Sequence, residues 1–99
     1  MGQKVTVFAR LKAKEGSEGE LKELLLTLIE PSRSDEGCVK YDLHQAIKDP
    51  GLFVFYEIWE SRDHLDKHAR TPHFQQFQNK SKDMLAGPPE LILLENISG

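Results

Sequence analysis

The chain has a single cysteine, Cys38, in 99 residues. A lone thiol excludes an intrachain disulfide and a cysteine-rich zinc site, and the expected setting is a reducing cytoplasm. No run approaches the roughly 20 apolar residues that cross a bilayer, so no membrane span is expected. No secretory pattern is visible either, because Lys4 and Arg10 bracket a short stretch that includes polar Thr6. Basic excess is also missing. The net charge is −3 and the pI about 5.8, which argues against a nucleic-acid partner. There is no phosphate-cradling glycine loop, no Ser-His-Asp spacing and no two-histidine helix motif. The 4 histidines fit no recognisable ligand spacing, so no metal is expected. Cys38 has only Lys40 as a basic neighbour and reads as a small core residue rather than a nucleophile. Met1-Gly2-Gln3-Lys4-Val5-Thr6 fits a myristoylation signal, but the segment reads better as the approach to a first strand. Asn96-Ile97-Ser98 fits a glycosylation acceptor, which carries no weight without a secretory route.

What is present is one domain's worth of well-patterned elements spanning residues 1–99. Lys4 to Leu11 alternates as a strand, with Val5, Val7, Ala9 and Leu11 on one side. Ser17 and Glu20 have capping-box spacing, and Leu21, Leu24, Leu25, Leu28 and Ile29 follow as one apolar helical stripe that Pro31 ends or kinks. Cys38 to Ile47 is a second strand, with Val39, Tyr41, Leu43 and Ile47 sharing a face. Asp49-Pro50-Gly51 is turn chemistry and makes the second strand a hairpin with a third, Leu52 to Trp59. Ser61 caps a short helix with Leu65, His68 and Ala69 inward. Thr71-Pro72 starts another, with Phe74, Phe77, Ser81, Met84 and Leu85 inward, and Gly87-Pro88-Pro89 stops it. Leu91 to Ile97 is a last strand. The order β-α-β-β-α-β predicts an α+β, ferredoxin-like fold: an antiparallel sheet with helices on one face.

The third strand is apolar on both sides. Phe53, Phe55, Glu57 and Trp59 face one way, and Leu52, Val54, Tyr56 and Ile58 the other. Leu91 and Leu93 against Ile92 and Leu94 repeat the pattern in the last strand. An antiparallel sheet with one wet face should alternate apolar and polar. Helices cover only one face, so a second copy, sheet against sheet, is expected on the other. The alternative is cover from the last strand or loops of the same chain.

Among residues with chemistry, Glu57 is a carboxylate in mid-strand beside Phe55 and Trp59. His68 lies on the inner face of the helix that folds back over that strand. The two are expected to meet and to act as a general base near neutral pH, or to form a buried hydrogen bond that only fastens the helix. Trp59 is the better pocket candidate among the aromatics, and Tyr41, Phe74 and Phe77 read as core. His44 belongs to the polar face of the second strand, and His73 could face either way.

Asp35-Glu36-Gly37-Cys38-Val39-Lys40-Tyr41-Asp42-Leu43-His44, then Phe53-Val54-Phe55-Tyr56-Glu57-Ile58-Trp59-Glu60-Ser61, then the spacing to Leu65, His68, Thr71-Pro72-His73-Phe74 and Phe77, form an ordered set. Together they resemble the antibiotic biosynthesis monooxygenase family, in its small quinol-monooxygenase-like branch. The resemblance covers essentially the whole chain. It implies a homodimeric α+β barrel with a pocket in each subunit between sheet and helices. It also implies oxygenation of a small polyphenolic aromatic by O2 without flavin, haem or metal. Carried onto this chain, His68 is the base, Glu57 orients it, Trp59 stacks on the substrate, and Tyr41 and Phe74 are walls. Haem-degrading relatives carry an asparagine near the first strand, whereas this chain has asparagine only at Asn79 and Asn96. Two other readings follow from the same resemblance: a non-catalytic, stress-associated ligand-binding dimer, and an isomerase of a small phosphorylated signalling molecule. The isomerase would need a basic pocket, for which Arg62 and Arg70 are the nearest residues.

Overall fold

Alternation sets the sheet. A computed structural model describes residues 3–99; the myristoylation pattern depends on Met1 and Gly2, outside the described residues. Strand β1 (Val5–Lys12) buries Val7, Ala9 and Leu11, and β3 (Leu52–Trp59) buries Phe53, Phe55, Glu57 and Trp59. With β2 (Cys38–Gln45) and β4 (Glu90–Leu94) they form an antiparallel sheet of order β2-β3-β1-β4. The two strands with the strongest apolar alternation therefore take the centre. Register stacks Tyr41, Glu57, Val7 and Leu93 in one row across all four strands.

The helices pack on that inner face only. Helix α1 (Glu18–Leu26) and the short α2 (Ile29–Arg33) supply Leu21, Leu25 and Leu28 to the core, with Leu24 and Ile29 at its margin. The stripe breaks at Thr27 and Leu28 rather than at Pro31. Pro31 sits in the first turn of α2, where its missing N–H costs nothing. Ser17 precedes α1 but makes no side-chain cap, so the expected capping box does not form; Glu18 instead accepts from the Gly16 amide at 2.9 Å. Helices α3 (Arg62–Ala69) and α4 (Pro72–Ser81) start as expected, with Ser61 accepting from the His64 amide and Thr71 from the Phe74 amide. Each such cap is worth about 1 kcal/mol. The result is the ferredoxin-like α+β arrangement, and no helix among the described residues is long and apolar enough to cross a membrane.

Several placements differ from expectation. β2 ends at Gln45, and Ile47 lies fully exposed in the hairpin loop. A register shift between Cys38 and Lys40 turns Val39 out of the inner row, leaving Tyr41 as the buried residue of β2. The extra residue of a bulge breaks the two-residue period on which the facing of Val39 relied. β4 stops at Leu94. Ala69 is exposed, though it lines the inner space together with His68 and Leu65.

β4 extends the sheet at its edge and covers neither face. All five of its residues are exposed, including Leu91 and Leu93 on the helix side. On the outer side no helix or loop among the described residues covers Tyr56, Ile92 and Leu94, which remain exposed at 37%, 40% and 44%. Cover from within the chain, the alternative to a second copy, is thus not what this fold provides.

Candidate active site

The gap over the β1–β4 side of the sheet is a cavity of about 670 Å³. That volume suits a small organic ligand. Its walls include Tyr41, Phe55, Glu57, His68, Phe74 and Leu93, and they are mostly apolar. Four of the five expected site residues therefore line one space. The fifth, Trp59, does not: it is fully buried behind the wall.

His68 reaches the wall because the Ser61 cap turns α3 back over β3. Its ring sits 4.6 Å from Trp59, 4.9 Å from Phe74 and 5.5 Å from Tyr41, centroid to centroid, and is only 3% exposed. The expected contact with Glu57 is not made. Glu57 accepts instead from the Trp59 indole N–H at 2.9 Å. The partner of His68 is Asp35, whose Oδ2 accepts from Nδ1 at 2.8 Å. A carboxylate only accepts, so the proton lies on Nδ1 and the lone pair on Nε2. Nε2 is buried and has no hydrogen-bond partner.

Asp35 is the residue the sequence reading passed over as a site. It lies in the turn between α2 and β2, 33 positions from His68. Gly37 closes this turn with φ +83°, a left-handed conformation that glycine adopts freely. The Gly37 carbonyl then accepts from the Glu60 amide at 2.8 Å, which ties the turn to the end of β3 beside α3. The only hint in the sequence was Asp35 standing two residues before a turn glycine. His73, left open by the sequence, also faces this turn and places Nε2 2.9 Å from the same Asp35 Oδ2.

Burial governs the electrostatics. It pushes the Glu57 carboxyl up to about 7, with the Trp59 N–H pulling the other way. It pushes His68 below its ordinary value, and Asp35 opposes that by stabilising the imidazolium. The Tyr41 hydroxyl is pushed far up by burial and by the nearby Glu57, so it stays protonated. Burial, then Glu57, raises the Cys38 thiol, which fits an unreactive cysteine at the core margin.

Asp35, His68 and His73 are the one group of three metal-capable side chains among the described residues whose donor atoms lie within 4.8 Å of one another. The hydrogen bonds to one carboxylate oxygen already commit the facing atoms to each other, which is a proton network. Of the basic residues considered for a phosphate, Arg62 lines the cavity but is engaged by Asp66 at 3.6 Å, and Arg70 is not among the lining residues.

The antibiotic biosynthesis monooxygenase family profile matches residues 4–80. The chain belongs to the antibiotic biosynthesis monooxygenase family. Among its relatives, the uncharacterized protein sll1783 of Synechocystis sp. is 39% identical over 87 residues, which are 88% of this chain and 59% of the relative. The chain thus spans well under two thirds of that protein's length. Rv0793 of Mycobacterium tuberculosis, whose name carries a provisional monooxygenase assignment, is 32% identical over 95% of this chain and 92% of its own. Among solved structures, PA3566 of Pseudomonas aeruginosa superposes with a TM-score of 0.93 at 32% identity, covering 99% of this chain and 98% of that one. The family match runs through β1–β3, α3 and most of α4, the elements that carry Asp35, Tyr41, Glu57, His68, His73 and Phe74.

Proposed function

We propose that the protein is a monooxygenase for a quinol or similar small polyphenol, with His68 as general base. The observation that carries this reading is the buried Asp35–His68 pair, with His68 in the wall of an apolar cavity and its Nε2 left without a hydrogen-bond partner. Family membership and the provisional name of Rv0793 point the same way.

The chemistry follows from the electron count. Nε2 takes a proton from a quinol hydroxyl, and the anion left behind reduces O2 readily. One oxygen atom bonds to a ring carbon, and the other leaves as water. The quinol supplies all four electrons and ends as a hydroxyquinone, so no resident redox group is required. His68 holds the abstracted proton and returns it as the O–O bond breaks. A dry cavity keeps the anion unsolvated and the base close to it. Glu57 is the second titratable group of the wall and places a carboxyl, neutral over much of the acid range, beside the substrate. Trp59 acts from behind the wall, fixing Glu57 through its indole N–H and His68 through ring contact. Tyr41 and Phe74 flank the ring plane. Two copies joined through the outer sheet face would leave one such cavity in each.

The test is oxygen uptake with a naphthoquinol, using chelator-treated protein against autoxidation alone. The protein should accelerate uptake, and His68→Ala should remove about 10²-fold or more of that acceleration. A panel of quinols giving no rate above autoxidation would sink the reading. Saturable binding without turnover would instead favour the ligand-binding dimer.

A further inference from the structure

Two imidazoles share one oxygen of Asp35. His68 Nδ1 lies 2.8 Å and His73 Nε2 2.9 Å from Oδ2. Of the three groups, His68 is closed off at 3% side-chain exposure, Asp35 is at 15%, and His73 at 25% is open to solvent. The chain of contacts therefore runs from the cavity wall to the surface. Nothing in the base chemistry above needs His73, yet the N-terminus of α4 delivers it to the oxygen that orients the base.

We infer that His73 is a positioning residue that sets the strength of the His68 base through their shared carboxylate. This rests on the reading of His68 as base. A neutral His73 donates an ordinary hydrogen bond and holds the Asp35 carboxyl in place. A protonated His73 donates a charged one and neutralises much of the Asp35 charge. The carboxylate then has less to offer an imidazolium at His68, so the two histidines resist being charged together. The coupling has the sign expected, since the proximity of His73 lowers His68. Other groups packed against His68 are few. Tyr41, Trp59 and Phe74 meet its ring and carry no charge, and Glu57 shares the cavity wall with it but accepts from Trp59 rather than from the imidazole. Asp35, and His73 through it, are thus the ionisable groups in direct reach.

Two variants separate charge from position. His73→Gln keeps an N–H donor toward Asp35 and removes the titration. His73→Ala removes both. Nitrogen-15 NMR of the histidine rings, followed across pH in the substrate-free protein, reads His68 directly. In His73→Gln the His68 midpoint should rise by about half a unit or more, with a single-proton curve where the wild type shows coupled steps. The acid limb of kcat/KM for a naphthoquinol should move to higher pH by the same amount, because a stronger base stays protonated longer. Above that limb His73→Gln should keep kcat/KM within about 2-fold of wild type, while His73→Ala loses about 10-fold as Asp35 loosens. An unchanged His68 midpoint in His73→Gln overturns the inference, whatever the activity. A shifted midpoint in a protein with no oxygenation leaves the coupling intact and overturns the proposed function instead.

Discussion

At the scale of single residues, the site holds two buried groups pushed in directions that both favour the neutral form. Their effects on stability oppose each other. Glu57 keeps its proton in the fold up to about pH 7, against an ordinary value of 4.5. Between those values the folded state binds the extra proton, so stability from this group is complete below pH 4.5 and is lost as pH rises. The loss is about 3 kcal/mol at 1.36 kcal/mol per pH unit. His68 has a lowered value, so below its ordinary 6.5 the unfolded chain takes up the extra proton and stability falls as pH drops. Glu57→Gln keeps the acceptor for Trp59 and deletes the first slope. Urea unfolding from pH 4.5 to 7.5 should show the wild type losing ground to Glu57→Gln by up to about 3 kcal/mol; a constant gap between the two would refute the buried carboxyl. Asp35→Asn tests the other half of the site. The amide cannot stabilise an imidazolium, so kcat/KM for a quinol should fall about 10²-fold while the cavity remains. Ligand affinity measured by fluorescence quenching should stay near wild type, and an equal loss of binding would assign Asp35 to structure instead.

At the scale of elements, the turn from α2 into β2 is what makes the site, and it was the part least legible in the sequence. The inward row of β3, the caps at Ser61 and Thr71 and the strand order all follow from local patterns of period two or from short cap spacings. Those signals sit within a few residues and set which side chains face inward; the family resemblance, not the patterning, made Tyr41 and Phe74 cavity walls, and both line one space with Glu57 and His68. Which acid meets His68 is a different kind of question, because the answer depends on a bulge at Cys38–Lys40 and on a turn held by a backbone bond to Glu60. Neither leaves a periodic trace. The nearest carboxylate in the strand pattern was Glu57, and the fold spends it on Trp59. The turn itself can be tested at Gly37. A Cβ added there would run into the His64 side chain, on a backbone at φ +83°. Gly37→Ala should cost about 2–4 kcal/mol in chemical denaturation, part from the left-handed backbone and part from the clash. Adding His64→Ala should recover only the ring's share of the clash, because the Cβ that alanine keeps lies 2.6 Å from the added carbon, so the loss should stay above the roughly 1–2 kcal/mol of the backbone share. Purely additive losses in the double variant would mean that the turn moves away from α3 instead of pressing on it.

At the scale of the whole molecule, the outer face of the sheet is the unpaid debt of this fold. Register places Phe8 between Tyr56 and Ile92, and Thr6 between Ile58 and Leu94, so the apolar side chains form a block in the middle of the sheet. Charge is pushed to its margins, where Arg10 meets Glu90 at 3.7 Å and Lys40 meets Asp42 at 3.2 Å. A central apolar block with a charged rim is the anatomy of a protein interface. The helices already occupy the other face, and two identical sheets can bury this one by facing each other. Tyr56→Asp discriminates well because Tyr56 is 37% exposed in the isolated chain. The aspartate would be tolerated in a monomer and buried without a partner in a dimer, at a cost of about 3–5 kcal/mol. The dimer should therefore loosen by more than about 100-fold, as read by sedimentation over a dilution series. Circular dichroism would confirm that the strands persist. Ile47→Asp, at a fully exposed loop position away from the sheet, should leave the mass unchanged. A folded Tyr56→Asp protein sedimenting as a dimer at wild-type concentrations would move the interface elsewhere. The cavities would stay where they are, since none of their walls lies on this face.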